Sequence, residues 1–374
     1  MSSSPVPELK PGQTIRPVVS MNQAREMIQT YFGLEADNFK EFNSYDDKNF
    51  YCEIGKPFKK YNLKVLNSMD SKKTAHVEAE HGIMFYLSSN SINCPVPHKT
   101  VDGETYKVVS IPREDVENEN SETATNAMHL VRLLSYVEGQ IMYHVLISEK
   151  LLYKTGLYIA EVEELLKACE YPVLKTHTTL WMMSEVMQLQ KFVYCIKKES
   201  DKFNLVQSVL KGYKENIEPI LDSLEKGVLH GDYNEQNILV LPSQVDKDDY
   251  DISGIIDFGD THWGPYIFEL AITVCYMMLE SMRCKIVDPF DAVGHVVAGY
   301  CKIRKVPDSE LKLMRTLVSC RLCQSLVMGA YSSSQDPDNK YILTTASRGW
   351  TLLEQVWNEK SDDQVFAMCK KYLS

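Results

Sequence analysis

The sequence predicts an α+β protein with a small β-rich N-terminal lobe and a larger helical C-terminal lobe. Residues 61–66 alternate between apolar and polar side chains, which is typical of a strand. Residues 128–136 form a strongly apolar strand, and the polar, acidic residues 113–126 before it are predicted to be a loop. After residue 140 helical spacing dominates, with helices predicted near residues 148–168, 180–198, 202–225, 266–282, 290–303, 308–331 and 338–358.

The chain of 374 residues is long enough for two lobes and a sizeable core. Residues 1–20 are rich in Ser and Pro and lack an apolar signal core, so we predict a disordered N-terminal tail. A nucleotide-binding N-lobe is predicted at residues 21–137, beginning with a helix that Gly33 ends. The C-lobe, residues 138–374, is expected to carry the catalytic loop, the metal site and the substrate pocket.

Three motifs in the second half of the chain predict phosphoryl transfer. Asp232 ends a His-Gly-Asp triplet, Asn237 follows five residues later, and Asp257 opens an Asp-Phe-Gly triplet. This order matches the kinase pattern H-R-D-x-x-x-x-N followed by D-F-G, with Gly in place of Arg as in kinases that phosphorylate small molecules. Phosphoryl transfer needs one group to orient the attacking hydroxyl and oxygen ligands to hold Mg²⁺ on the phosphates. The motifs therefore predict a protein-kinase-like two-lobe fold, with Asp232 as catalytic base and His230 as a structural hydrogen-bonding residue.

A β-hairpin is predicted to bring the two metal ligands together. Residues 238–240 and 252–256 have the composition of strands, and residues 241–251 between them are polar and acidic. The hairpin would place Asn237 at one strand end beside Asp257 at the other. Mg²⁺ prefers such hard oxygen donors. In the alternative interpretation, Asn237 is a turn residue and Asp257 is a helix cap, and both would have to hold at once.

Lys64 is the candidate phosphate anchor. It lies in a Leu-Lys-Val triplet on the predicted strand, and in kinases the lysine of such a strand holds the α- and β-phosphates. Residues 74–89 predict a helix whose apolar stripe includes Glu80. An unpaired carboxylate buried there would cost several kcal/mol, so we predict that Glu80 pairs with Lys64. Glu78 takes this place if the helix is rotated, and an ordinary solvated strand lysine is the alternative for Lys64.

Further nucleotide-binding candidates lie in a polar turn and at the end of an apolar strand. The turn before the lysine strand contains no G-x-G-x-x-G, so phosphate contacts would come from backbone N–H groups and the hydroxyl of Ser44. Asn49 could support this turn or the nucleotide, and a plain hairpin turn is the alternative. Leu134, Ser135 and Tyr136 end the strand that leads into the hinge of a kinase, whose backbone binds the base edge.

The residues around these motifs resemble the aminoglycoside phosphotransferase and choline kinase superfamily, which has a protein-kinase-like fold. The similarity lies in HGDYNEQNILV at residues 230–240 and IIDFGD at residues 255–260. Further blocks resemble the hydroxylysine kinase family, and the resemblance runs from about residue 25 to residue 355. These blocks are residues 44–47, 254–260, 268–273 and 323–328.

The resemblance implies that Asp232 is the catalytic base, that Asn237 and Asp257 bind Mg²⁺, and that Lys64 anchors phosphate. It also implies GTP, with ATP as the alternative, as phosphoryl donor and 5-hydroxy-L-lysine as acceptor. No feature of composition or spacing indicates a guanine preference or this amino acid.

Substrate-binding candidates follow the Asp-Phe-Gly triplet. Asp260 or Glu269 could meet a substrate ammonium group, although Glu269 could instead support the catalytic loop. His262 and Trp263 could line the site. A substrate carboxylate would favour a guanidinium group, and Arg321 and Arg315 lie in the helical lobe, yet no spacing argument selects either for this role.

Composition narrows the partners and the compartment. A net charge of −11 and a pI of about 5.4 argue against nucleic acid or an anionic membrane as partner. The ten cysteines lack the spacing of a disulfide framework, and the apolar run at residues 270–279 is too short to span a bilayer, so we expect a cytoplasmic protein. Cys320 and Cys323 form the only C-x-x-C pair, without a second pair to complete a zinc site.

Two alternative functions remain at this stage. One is a different small-molecule kinase that acts on choline, homoserine, a sugar or an aminoglycoside. The other is a pseudokinase that binds a ligand without catalysis, and the intact set of Lys64, Asp232, Asn237 and Asp257 argues against it.

Overall fold

The computed structural model describes residues 15–42, 44, 46–112, 126–335 and 346–373. The chain forms two compact units that divide between Val137 and Glu138. The first unit is rich in β-strands and the second is mainly helical, which confirms the predicted α+β class. The loop predicted at residues 113–126 and the start of the helix predicted at 338–358 lie almost entirely outside the described residues.

A five-stranded antiparallel sheet, in the order β1-β2-β3-β5-β4, forms the first unit. On β3 the alternation is as predicted, because Leu63 and Val65 lie in the hydrophobic core and Tyr61 packs against it. Asn62 and Lys64 therefore lie on the opposite face of the sheet. The strands are β1 (Ala36–Phe42), β2 (Lys48–Ile54), β3 (Lys59–Val65), β4 (Lys107–Pro112) and β5 (Asn126–Ser135).

Two helices accompany this sheet. Helix α1 (Met21–Phe32) begins with a capping box at Ser20 and ends at Gly33, whose φ of +66° is the left-handed conformation that favours glycine. Its buried face joins the core of the sheet. Helix α2 (Thr74–Ser89) has the predicted bounds, and Glu80 lies on its buried face as expected.

The segment before α1 is ordered where the structure describes it. Ile15 and Val19 are buried, and the N–H of Ser68 donates to the carbonyl oxygen of Ile15 at 2.9 Å. The predicted disordered tail is therefore wrong for residues 15–20, because these apolar side chains anchor the segment. Residues 1–14 lie outside the described residues.

The second unit consists mainly of helices at the predicted positions. Three predicted helices differ. The region 180–198 forms the 3₁₀ helices Met183–Lys191 and Val193–Cys195, and the helix predicted at 202–225 ends at Asn216 and is followed by the 3₁₀ helix Glu218–Ser223. The helix predicted at 308–331 is divided into Asp308–Leu311 and Met314–Gln335. The last helix was not predicted. The helices are α3 (Glu149–Leu166), α4 (Asp201–Asn216), α5 (Tyr266–Cys284), α6 (Pro289–Cys301), α7 (Asp308–Leu311), α8 (Met314–Gln335), α9 (Ala346–Glu354) and α10 (Asp362–Lys370).

Short strands of the second unit flank the catalytic motifs. Strands β8 (Ile238–Pro242) and β9 (Tyr250–Ile255) form the predicted hairpin, to which β6 (Gln140–Ile141) adds a third strand. Strand β7 (Lys226–Leu229) pairs with β10 (His262–Pro265), so one small sheet leads into the His-Gly-Asp triplet and receives the chain after the Asp-Phe-Gly triplet.

Among the described helices, none is both long and apolar enough to cross a membrane. All ten cysteines carry free thiols.

Candidate active site

Gly231 makes the turn between β7 and the catalytic loop possible. Its φ is +85°, and a Cβ atom at this position would lie 2.2 Å from the carbonyl oxygen of Asp260. Both the backbone conformation and the close approach therefore require glycine. The turn places Asp232 directly after the end of a buried strand.

His230 connects the catalytic loop to the chain before Asp257. One ring nitrogen, Nε2, donates to the carbonyl oxygen of Ile256 at 3.1 Å, and Nδ1 accepts from the N–H of Asp232 at 3.3 Å. The ring lies edge-to-face against Phe258, with 5.0 Å between ring centroids. Burial lowers the pKa of His230 to about 4, so the imidazole is neutral at pH 7. These contacts give His230 the structural role that the sequence predicted.

Asn237 contacts the carboxylate of Asp232, the candidate base, directly. Its Nδ2 donates to Oδ2 of Asp232 and to the backbone oxygen of Asp232, each at 2.9 Å. The N–H of Ile256 donates to the backbone oxygen of Asn237 at 2.9 Å, so the hairpin fixes the chain before Asp257 beside Asn237. Because the amide nitrogen is engaged, Oδ1 of Asn237 remains as the acceptor that can bind a cation.

Asp257 has a backbone conformation that is rare for residues other than glycine. Its φ is +63° and the residue is exposed. Such conformations cost roughly 1–3 kcal/mol and are concentrated at functional sites. An exposed carboxylate and the amide oxygen of Asn237 are both hard donors, and this donor set suits Mg²⁺.

A buried arginine holds the second carboxylate oxygen of Asp232. Nη2 of Arg321 lies 2.6 Å from Oδ1 of Asp232. Burial raises the pKa of Asp232 to about 6, and the guanidinium of Arg321 opposes this shift. The side chain of Asp232 remains 23% exposed, whereas that of Arg321 is 1% exposed. A substrate hydroxyl can therefore reach Asp232, but a substrate carboxylate cannot reach Arg321.

Glu269, on α5, stabilises the loop that contains Gly231 and Asp232. The residue is fully buried, and its Oε2 accepts a hydrogen bond from the N–H of Gly231 at 2.8 Å. Burial raises the pKa of Glu269 to about 7. The prediction that Glu269 binds substrate is therefore wrong, because its carboxyl group is inaccessible and holds the backbone; the alternative of a loop support is confirmed.

Three further substrate candidates have different surroundings. His262 is only 3% exposed on β10, and its Nδ1 lies 2.7 Å from the carbonyl oxygen of Asp260, so its predicted place in the substrate site is wrong. Nζ of Lys175 lies over the ring of Trp263, 4.6 Å from the ring centroid. Asp260 is half-buried, and its carboxylate interacts electrostatically with the buried guanidinium of Arg321. Substrate contacts of Asp260 and Trp263 stay predictions.

In the first unit, the predicted pair between Lys64 and Glu80 is wrong. Within the described residues, Glu80 pairs with Nη1 of Arg132 at 2.5 Å and with Nδ1 of His76 at 2.9 Å. Nζ of Lys64 lies instead 3.4 Å from Oδ2 of Asp47. The sheet register explains why Arg132 replaces Lys64 as the partner of Glu80. Arg132 on β5 is the cross-strand neighbour of Lys64, and its guanidinium binds the carboxylate of Glu80. Burial favours the neutral acid, yet Arg132 and His76 outweigh it and hold the pKa of Glu80 below its usual range.

The turn between β1 and β2 is stabilised by its own polar groups. The hydroxyl of Ser44 donates to the carbonyl oxygen of Asp47, and Oδ1 of Asp47 accepts from the N–H of Asn67 at 2.7 Å. Ser44 therefore uses its donor within the turn. The side-chain oxygen of Asn49 is buried and has no hydrogen-bond partner within the described residues, and a nucleotide contact of Asn49 stays a prediction.

The residues predicted to form the hinge already use their amide donors. The N–H of Ser135 donates to Val96 at 2.9 Å, and the N–H of Tyr136 donates to Lys60 at 3.0 Å. Leu134 pairs with Asn62 across the sheet. Base recognition by the N–H groups of Ser135 and Tyr136 is therefore excluded, which leaves carbonyl groups or later residues for this role.

The chain belongs to the phosphotransferase enzyme family, whose model matches residues 38–298. It is a phosphotransferase that acts on a hydroxyl acceptor. The curated relatives are hydroxylysine kinases. The enzyme of Xenopus laevis is 32% identical over 94% of this chain and 96% of its own length. The enzyme of Danio rerio is 31% identical over 93% of this chain and 94% of its own length.

Solved structures show the same fold at low sequence identity. A microcompartment-associated aminopropanol kinase has a TM-score of 0.66 and 16% identity, and the similarity covers 91% of this chain and 98% of that chain. Amicoumacin kinase, solved in complex with AMP-PNP, Ca²⁺ and Ami, has a TM-score of 0.66 and 12% identity, and the similarity covers 92% of this chain and 95% of that chain. The protein-kinase-like two-lobe fold predicted from the motifs is thereby confirmed.

Proposed function

We propose that this protein transfers the γ-phosphoryl group of GTP to the hydroxyl of 5-hydroxy-L-lysine, giving GDP and 5-phosphohydroxy-L-lysine. Two curated relatives that match more than nine-tenths of the chain are hydroxylysine kinases, which supports this acceptor. The observation that most supports the chemistry is the contact of Asn237 with Asp232, since it joins a candidate metal ligand to a candidate base at 2.9 Å.

Asp232 is the proposed catalytic base. Its partly exposed carboxylate would accept the hydrogen bond of the substrate hydroxyl and, as the phosphoryl group transfers, the proton. Because the transition state of phosphoryl transfer is loose, orientation of the hydroxyl contributes more than the strength of the base.

Asn237 and Asp257 are the proposed Mg²⁺ ligands. The amide nitrogen of Asn237 is held by Asp232, so its oxygen is available, and Asp257 presents an exposed carboxylate. When bound, Mg²⁺ would neutralise charge on the phosphates. The divalent cation in the amicoumacin kinase complex supports a cation in this family.

Lys64 is the proposed phosphate anchor of the first unit, and the buried acceptor of Asn49 is a proposed nucleotide contact. Glu80 belongs to this assignment only indirectly, because it fixes Arg132, the cross-strand neighbour of Lys64. A nucleotide as donor is supported by the AMP-PNP complex of amicoumacin kinase. GTP rather than ATP rests on the resemblance to hydroxylysine kinases.

Asp260 is the remaining proposed ligand for a substrate ammonium, since it is half-buried and follows the Asp-Phe-Gly triplet directly. Free thiols at all ten cysteines support a reducing compartment, and we place the reaction in the cytoplasm.

The proposal is tested by nucleoside diphosphate release from Mg·GTP and, separately, from Mg·ATP. Each is assayed with 5-hydroxy-L-lysine and with lysine, choline and homoserine as controls. Release that requires hydroxylysine and favours GTP is the expected result. Release with homoserine or choline alone would keep the phosphotransferase and overturn the acceptor.

Asp232→Asn should lower kcat by about 10³-fold or more while leaving nucleotide affinity unchanged, because the amide cannot accept the proton. Asp248→Asn is the matched control, since Asp248 is an exposed aspartate in the connection between β8 and β9. Its kcat should equal that of the wild type. Wild-type turnover by Asp232→Asn would exclude Asp232 as the base.

A further inference from the structure

Arg321 lies in the first half of α8, and its charged side chain is buried. Burying an ion costs several kcal/mol unless its hydrogen bonds are satisfied. Its Nη2 donates to Oδ1 of Asp232 at 2.6 Å, its Nε to the hydroxyl of Tyr276 at 3.2 Å, and its Nη1 to the carbonyl oxygen of Trp181 at 3.1 Å. One guanidinium thus joins the catalytic loop, α5 and the segment before the 3₁₀ helix Met183–Lys191.

Gln324, one helical turn after Arg321, holds the same segment. Its Nε2 donates to the carbonyl oxygens of Leu180 at 2.9 Å and Met182 at 3.0 Å. Two side chains of α8 therefore donate hydrogen bonds to the three consecutive carbonyl groups of residues 180–182. These contacts fix the backbone of residues 180–182 just before the 3₁₀ helix Met183–Lys191.

The catalytic carboxylate is fixed at both oxygens. Arg321 donates to Oδ1 of Asp232, and Asn237 donates to Oδ2 at 2.9 Å. The carboxylate plane is therefore set before any substrate arrives. Catalytic groups must be held within about 0.5 Å of the productive geometry, so such a fixed carboxylate is preorganised for one direction of approach.

We propose that Arg321 is a positioning residue for the phosphoryl acceptor: it orients Asp232 and holds residues 180–182 beside it, so that this segment, with the half-buried ring of Trp181, forms one wall of the acceptor site. This proposal rests on the proposed function of Asp232 as base. It assigns no substrate contact to Arg321 itself, which acts through Asp232 and the backbone of residues 180–182.

The matched control for Arg321 is Arg315 on the same helix. Nε of Arg315 lies 2.6 Å from Oδ1 of Asp362, and Nη1 lies 3.0 Å from the carbonyl oxygen of Trp357. Arg315 thus also binds one carboxylate and one tryptophan carbonyl, but neither belongs to the catalytic loop. A general effect of losing a guanidinium from α8 would appear in both variants.

Arg321→Lys keeps the positive charge, but its single ammonium nitrogen cannot replace Nε, Nη1 and Nη2, which reach three separate partners in the wild type. We expect kcat to fall on the order of 10-fold to 100-fold and the acceptor KM to rise, with the nucleotide KM unchanged. Arg321→Gln also removes the positive charge, so its kcat should fall further than that of Arg321→Lys. Arg315→Lys should keep the wild-type values. An unchanged kcat and acceptor KM in Arg321→Lys, or an equal rise of the nucleotide KM, would overturn the proposal.

Amide hydrogen exchange gives a measurement that does not depend on turnover. In Arg321→Lys, exchange at residues 179–183 should become faster than in the wild type, and in Arg315→Lys it should not. Unchanged exchange at these residues would contradict the anchoring by Arg321. If the wild type accepts a different alcohol, the acceptor of the proposed function fails, while the comparison of Arg321 with Arg315 remains valid with that alcohol.

Discussion

A side chain can destabilise a turn in two ways, by an unfavourable positive φ and by a steric clash. Comparison of Gly231 with Gly103 distinguishes these two effects. Both have positive φ, +85° and +88°, but a Cβ at Gly231 would meet the carbonyl oxygen of Asp260 at 2.2 Å, whereas nothing lies within 4 Å of one at Gly103. A left-handed conformation alone costs an alanine roughly 1–2 kcal/mol. At Gly231 the backbone around Asp260 must shift as well.

Gly231→Ala should therefore lower the free energy of unfolding by about 3 kcal/mol or more, and Gly103→Ala by about 1 kcal/mol. The phosphotransferase activity of Gly231→Ala should also be lost, because Asp232 follows the displaced turn. Urea denaturation and kcat of both variants provide the measurement. Equal destabilisation of the two would mean that the contact with Asp260 relaxes without cost.

Between β5 and α2, a buried ion pair stabilises the first unit. Arg132 and Glu80 are each 2% exposed, and their charged groups lie 2.5 Å apart. Removal of one partner from a buried pair costs about 3–5 kcal/mol, because it leaves the other charge unpaired. Arg132→Met should therefore destabilise the protein by about this amount, measured by urea denaturation.

Lys64→Met is the informative comparison for Arg132→Met. If Arg132 is the partner of Glu80, Lys64→Met should be at least about 2 kcal/mol less destabilising, and it should weaken nucleotide binding because it removes the proposed phosphate anchor. Replacement of both charges, in Glu80→Leu with Arg132→Met, should recover part of the stability. A larger loss from Lys64→Met than from Arg132→Met would restore the original prediction for Glu80.

Elements with a strong local signal were predictable from sequence. The apolar stripe predicted the bounds of α2 correctly. The strand composition on both sides of an acidic connection predicted the hairpin of β8 and β9. The partner of Glu80 was not predictable, because it depends on the register that sets Arg132 opposite Lys64. Residues 180–182 had helical composition, but their carbonyl groups bond to side chains 140 or more positions later in the chain.

On the scale of the whole molecule, the kinase motifs could be found because they are local, whereas the contact of Arg321 with Asp232 could not be predicted and Glu269 could be offered as a loop support only as one of two alternatives. Asp232, Asn237 and Asp257 share one short stretch of chain. Arg321 reaches Asp232 from 89 residues away, and Glu269 reaches Gly231 from 38 residues away. No spacing rule connects such residues, since only the packing of α5 and α8 brings them to the loop.

Two of the buried groups around this loop make stability depend on pH in opposite directions. Burial raises the pKa of Glu269 from its usual 4.5 to about 7, so folding favours its protonated form. Its contribution to stability is complete below pH 4.5 and is lost as the pH rises through about 7. Burial lowers the pKa of His230 from its usual 6.5 to about 4, so the contribution of His230 is lost as the pH falls between these values.

Glu269→Gln isolates the first of these effects, because the amide oxygen can still accept from Gly231 but no longer titrates. The free energy of unfolding of this variant, relative to the wild type, should increase between about pH 5 and pH 8 by on the order of 2–3 kcal/mol. Urea denaturation at several pH values measures it. Glu215→Gln, at an exposed position on α4, should follow the wild-type curve throughout. If Glu269→Gln also ran parallel to the wild type, Glu269 would have to be ionised in the folded protein across this range, and the loop would rest on a buried carboxylate rather than a carboxylic acid.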